Sequence, residues 1–259
     1  MNTAALDPAI LLPALLAGLL VLATHVPLGA QVLARGIVFI DLAIARIAGI
    51  GVIAAEIAGL EAEGWTLQCA AAGAALLGAW LLTWTERRWP DVQEALIGVL
   101  FVLAACTGIL LLAGNPHGGE HLKDLLVGQI LWVSPAQLLA TAVLTALVLL
   151  AWRMLAARLG RFGFYALFAL AVTASVQLVG VYLVFSSLII PALATRQLNG
   201  RARLIAAYLL GALAYAGGLA MSAFADLPSG AVIVLSMAVL GLLAATLSGR
   251  TKATQGMPA

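Results

Sequence analysis

The stretch AAAGAALLGAWLL at residues 70–82 carries no charge, no proline and no alternation of polar with apolar side chains. A strand of a transmembrane β-barrel needs about ten residues of alternating character bounded by turn chemistry. An unbroken run of alanine and leucine is instead the texture of a helix with no wet face. Residues 70–82 therefore point to an all-α protein whose helices meet lipid or one another.

The same texture extends outward in both directions. Of 259 residues, 64% are hydrophobic and 9% are charged, where a soluble domain carries roughly 25% charged residues. So few polar groups cannot cover a water-soluble globule of this size. A bilayer core about 30 Å thick takes roughly 20 apolar residues per helical span. Apolar runs at 9–32, 37–60, 65–84, 94–113, 134–152, 164–195, 204–221 and 230–248 give about seven to nine membrane segments. The expected fold is a polytopic transmembrane helical bundle. No repeat, linker or change of composition divides it, so residues 1–259 read as a single transmembrane domain. The opening MNTAALDPAILLPALLAGLL lacks a basic region and a small-residue cleavage site, and reads as the first span.

Placement of charge orients the bundle. Arg35, Arg87, Arg88, Arg153, Arg158, Arg161, Arg196, Arg201, Arg203, Arg250 and Lys252 fall in alternate connections, whereas Asp7, Glu61, Glu63 and Asp226 occupy the others. Basic residues gather on the cytoplasmic side. The pattern predicts a multi-pass protein of the cytoplasmic (inner) membrane with its N-terminus outside and its C-terminus inside. Both flanks of 164–195 are then cytoplasmic, and this run is too short for two full spans. It reads as a hairpin of short or broken helices, backbone that survives at membrane depth only where protein or water surrounds it. One long tilted helix is the alternative.

Missing motifs narrow the function. The chain has no G-x-x-x-x-G-K-[ST] phosphate loop, no H-E-x-x-H and no G-x-S-x-G, so any ATP is hydrolysed by a partner and an intramembrane enzyme lacks its nucleophile and base. Gly49-Ile-Gly51 sits inside a span, where small residues serve close helix packing. Cys69 and Cys106 read as packing residues, and His25, alone in an apolar run before Pro27, as a satisfied core histidine.

Three ionisable residues, Asp41, Arg46 and Glu56, lie inside the second segment. A charge at the bilayer centre costs about 2.5–3.5 kcal/mol on insertion scales, so such groups face a cavity or a partner. They are candidate pathway residues, or else structural charges that hold helices together. Asp41 and Glu56 lie about 22 Å apart along an ideal helix, too far to share one ion. The connection GNPHGGEHLKDLLVGQILWV at 114–133 opens with turn chemistry and continues as a short amphipathic helix. It gathers His117, Glu120, His121 and Asp124 at spacings of three and four, a donor set suited to zinc, or to manganese where oxygen dominates. A solvated loop without metal is the competing account.

Three stretches carry a resemblance to a known family, the permease subunits of zinc and manganese ABC importers. LVGVYLVFSSLIIPALATR at 178–196 is similar to the family's apolar run ending in a proline-alanine turn, here Pro191, Ala192, Ala194 and Arg196. ADLPSGAVIVL at 225–235 is similar to the outer turn before the family's last helix, and PLGAQVLARGIVFIDLAIARIAGIG at 27–51 to its Pro-Leu-Gly, basic residue and aspartate. With DLLVGQILWVS at 124–134, the resemblance spans most of the chain. One departure stands out: the family commonly carries a histidine four residues after the aspartate, and Ala45 is there instead.

The resemblance implies a type II ABC importer-like fold and import of a divalent metal ion, zinc first and manganese next, with no tightly bound cofactor. It implies a homodimer in membrane lipid, two ATP-binding ATPase subunits and an extracytoplasmic metal-binding protein, with no nucleic acid. Asp41 would touch the ion, and Pro191 would line the path with Arg46 and Glu56. The basic stretch RMLAARLGRFG at 153–163, with Arg158, Gly160 and Arg161, is the candidate ATPase-coupling element. The alternatives are an ion-gradient-driven secondary transporter and an importer for another cargo.

Overall fold

A computed structural model of the chain describes residues 8–59, 65–112, 128 and 130–255. Among them helices α1 (Pro8–Arg35), α2 (Ile40–Ile57), α3 (Trp65–Arg88) and α4 (Gln93–Leu112) come first. A helical stretch Pro135–Val179 follows, broken at Gly160 into α5 (Pro135–Met154) and α6 (Gly160–Val179). The chain continues with α7 (Val181–Ala194), α8 (Gly200–Ala225) and α9 (Ser229–Gln255). No strand occurs among the described residues. Seven segments among them are long and apolar enough to cross a membrane: α1, α3, α5, α6 and α8, together with 90–108 around α4 and 229–246 within α9. The molecule is a multi-pass membrane protein. Helix α2 falls outside the seven because its 18 residues hold Asp41, Arg46 and Glu56; α7, with 14 residues, is too short.

The run 164–195 is the expected hairpin. Ser134 starts α5 with a capping box, its hydroxyl accepting from Gln137 N–H while the Gln137 side chain accepts from Ser134 N–H. Gly160 then takes φ 57° and ψ −151°, a conformation open to glycine and costly for other residues. Trp152 and Phe164 stand with ring centroids 5.8 Å apart, whereas residues twelve apart on a straight helix are separated by about 18 Å. The chain therefore folds back at Gly160. At the far end of α6, Val179 and Gly180 abut Gly128, just ahead of the start of α5. Gly180, at φ 79° and ψ 164°, turns the chain again into α7. The guanidinium of Arg35, at the end of α1, lies 3.9 Å from the Phe164 ring centre. Arg203 near the start of α8 donates to the Ala192 carbonyl at the end of α7 across 3.4 Å. Both feet of the hairpin thus stand at the Arg35 end of the bundle, with Gly180 as its vertex.

Small residues set how closely the helices meet. Gly18 of α1 receives the ring of Tyr215, and Gly211 of α8 receives Leu22, so the two helices interlock reciprocally. Gly29 lies against the Leu188 carbonyl of α7, and Gly51 against Ala70 and Ala74 of α3, the packing role expected for it. Helices α3 and α4 both pack on α2 far more than on each other. Between α8 and α9, Asp226 adopts a left-handed conformation and Ser222 Oγ donates to the Leu227 carbonyl at 2.6 Å, forming the LPSG turn. Cys69 and Cys106 are free and exposed on the outside of the bundle. They are surface thiols, which corrects their reading as packing residues: an apolar run has a lipid face as well as a core face, and composition does not say which one a cysteine occupies.

Candidate ion pathway

Helix α2 begins against α4. The Phe39 N–H donates to Glu94 Oε1 at 3.3 Å, which places a carboxylate over the open N–H groups of the first turn, where a negative charge is favoured. Asp41 follows in that same turn. It is 1% exposed, and neither carboxylate oxygen has a hydrogen-bond partner among the described residues. Burying a charged carboxylate without a partner costs several kcal/mol. One turn on, Ala45 is buried on the same face and offers no donor.

Arg46 has no carboxylate within ion-pair range among the described residues. Its guanidinium stands 6.0 Å from the Phe101 ring, and its buried Nε is unbonded. A helix-stapling ion pair is therefore not what Arg46 provides there. Glu56 is half-buried near the other end of α2. Since α2 is unbroken, the separation of about 22 Å from Asp41 holds and the two act apart.

The hairpin adds polar groups to the interior. Thr173, Ser175, Ser186 and Ser187 are buried; Thr173 Oγ1 is unbonded, and Ser187 Oγ shares a hydrogen bond of 2.9 Å with the Tyr215 hydroxyl. Pro191 is buried inside α7. Lacking an N–H, it leaves the Ser187 carbonyl without its helical donor, while its own carbonyl accepts from Thr195 Oγ1 at 2.7 Å. His25, fully buried in α1, lies 2.9 Å through Nδ1 from the Val21 carbonyl. A carbonyl can only accept, so Nδ1 carries the proton and the unbonded Nε2 presents a lone pair. It is a core histidine satisfied on one side only.

At the Arg35 end, Gly160 is exposed, and Arg161 Nε lies 3.9 Å from Glu86 Oε1 of α3. Arg158 lies on the helical backbone just before the break. Gln93 donates to the Leu82 carbonyl at 3.1 Å and to the Tyr165 hydroxyl at 3.4 Å, tying the start of α4 to α3 and α6. His117, Glu120, His121 and Asp124 lie outside the described residues. Among the described residues no three His, Cys, Asp or Glu side chains converge on one point. Glu86 and Glu94 escaped the sequence reading because each sits at the margin of an apolar run, where a carboxylate looks like an ordinary helix end.

The helices of the described residues, with a broken hairpin among them and buried, unpaired polar groups along α1, α2 and α6, make a polytopic membrane protein with a partly polar interior. The model of the ABC 3 transport family matches residues 7–159 and 152–248, and the chain belongs to that family. Among solved structures it is similar to PsaBC from Streptococcus pneumoniae in complex with Fab, at 22% identity and TM-score 0.75, covering 94% of this chain and 95% of that one. A second similar structure is an inward-facing conformation described as a metal-chelate type ABC transporter, at 21% identity and TM-score 0.67, covering 95% of this chain and 91% of that one. Both likenesses concern the fold. The family match bears out the resemblance to ABC importer permeases that 27–51, 178–196 and 225–235 carry.

Proposed function

We propose that this permease translocates a divalent metal ion inward across the cytoplasmic membrane, zinc in the first place and manganese next. Buried and unbonded at the start of α2, Asp41 is the observation that carries this reading. A cation passing Asp41 relieves an unpaired carboxylate, and because Ala45 supplies no second ligand the contact stays weak enough to release the ion. Arg46, Glu56 and the Pro191 region would border the same route. The permease would work as a homodimer with two ATPase subunits at the Arg35 end and a metal-binding protein at the opposite face, where His117, Glu120, His121 and Asp124 would meet the arriving ion. The turn with Arg158, Gly160 and Arg161 would take the push from the ATPase.

Reconstitution with its ATPase and delivery protein tests this directly. ATP-dependent uptake of zinc, or of manganese, that saturates with loaded delivery protein is the expected result; uptake of neither ion ends the metal reading. Orientation is tested separately by single cysteines at positions 63 and 250 in a background lacking the exposed Cys69 and Cys106. Labelling of position 250 from outside intact cells would reverse the assignment.

A further inference from the structure

Helices α3 and α4 leave an apolar groove of about 380 Å³ between them, floored by α2 and lined by Ile47, Gly78, Trp80, Leu81, Leu100 and Leu103. It is open to the outside of the bundle: Trp80 is 59% exposed and Leu103 58%. On α3 the residues Leu77, Leu81, Trp84 and Arg88 recur at intervals of four, three and four, so one helix face runs from the groove to the helix end. Leu81 lies about 10 Å along the axis from Arg88.

At that end the chain has no room to leave the membrane surface. One apolar span closes at Arg88 and the next opens at Pro90, with Trp89 alone between them. Trp84 and Trp89 meet edge to face at 5.3 Å and 88°, both part-exposed, and the Arg88 guanidinium stands 6.0 Å from the Trp89 ring. Indole rings in this setting sit at headgroup level. Arg87 and Arg88 are exposed, and neither has an ion-pair partner among the described residues. The acid beside them in sequence, Glu86, is shared with Arg161, and Asp91 in the turn is exposed and one charge against two.

We infer that this face is a binding site for an anionic phospholipid: Arg87 and Arg88 hold the phosphate, the Trp84–Trp89 pair brackets the glycerol level, and one acyl chain lies in the groove on α2. Guanidinium groups match phosphate oxygens in pairs, and the groove begins at acyl-chain depth below them. The site stands whether or not the transported cargo is a metal.

The test uses the full-length protein purified in detergent, with phosphatidylglycerol and phosphatidylcholine of identical chains added in turn and bound lipid counted by native mass spectrometry. Two basic residues at a membrane surface contribute about 1 kcal/mol each, so R87Q/R88Q should lower phosphatidylglycerol affinity roughly 30-fold and leave phosphatidylcholine binding unchanged. Leu103→Trp, which fills the groove, should reduce retention of both lipids. If R87Q/R88Q, still folded by circular dichroism, binds phosphatidylglycerol like the parent, the headgroup assignment is wrong. If Leu103→Trp leaves lipid retention intact and instead dissociates an oligomer, the groove is a contact between copies and the proposal falls.

Discussion

The hydroxyl of Tyr208 donates to the carbonyl of Ala23 across 3.1 Å, and that carbonyl is the one Pro27 leaves open four residues on. Proline has no N–H to return to it, and lipid offers no water to replace the missing donor. A side chain of α8 thus completes a hydrogen bond of α1, beside the interlock of Gly18 with Tyr215 and of Gly211 with Leu22.

Tyr208→Phe should therefore cost about 1 kcal/mol, in the range of hydrogen bonds between membrane helices. The same change in a Pro27→Ala background should cost almost nothing, because an alanine there supplies the backbone donor itself. Reversible unfolding of the four proteins in mixed micelles measures the difference. Equal costs in both backgrounds would detach Tyr208 from the proline.

Gly180 holds the hairpin vertex at φ 79° and ψ 164°, a region that side chains enter at about 1–3 kcal/mol. Gly180→Ala should lower stability by that amount. Gly98, inside α4 with nothing within 4 Å of a new methyl group, should gain up to about 1 kcal/mol on the same substitution. Opposite signs in a thermal unfolding comparison are the expected outcome, and loss at both positions would contradict the vertex geometry.

Class, span positions and the hairpin were legible because they rest on local composition: apolar length, the spacing of arginines, and the short run 164–195 between two basic flanks. Gly160 and Gly180 stand in the sequence like any other glycine, so the two reversals had to be inferred from charge alone. The site was less legible. Asp41 stands out as an acid in an apolar run, but whether it is paired depends on what α4, α6 and α7 bring near it. Pro27 announces an orphan carbonyl, yet Tyr208 lies 185 residues from Ala23, a partner no local pattern names. The status of His25 and of Cys69 turned on which face of a helix meets the core.

Coupling to the ATPase is read best where folding is insensitive. The Arg161–Glu86 pair is 3.9 Å long with the arginine side chain 56% exposed, a geometry that contributes about 0–1 kcal/mol. Charge reversal at Arg158 and Arg161 should accordingly leave the protein folded while ATP hydrolysis continues without uptake. Arg196, exposed in the turn after α7, and Arg201, exposed in the first turn of α8 at the same end of the bundle, are the comparison. Uncoupling by reversal of Arg196 and Arg201 alone would move the docking face to that turn.

Along the route of the ion, two substitutions should act on different constants. Asp41→Asn keeps side-chain size and removes the charge that attracts a cation, so the maximal uptake rate should fall, roughly tenfold if the barrier rises by about 1.4 kcal/mol. The loss belongs to the transit step, because Asp41 is buried at 1% exposure and does not meet the delivery protein. If His117 and His121 meet the arriving ion as proposed, replacing both with alanine acts on its capture instead. That change should raise the metal concentration for half-maximal uptake while leaving the maximal rate near the parent value. Initial rates across a zinc series, with ATPase assembly checked by co-purification, separate the two effects. Asp41→Asn that assembles and transports at the parent rate would make Asp41 a structural charge, and would leave the ion to pass by another face of α2.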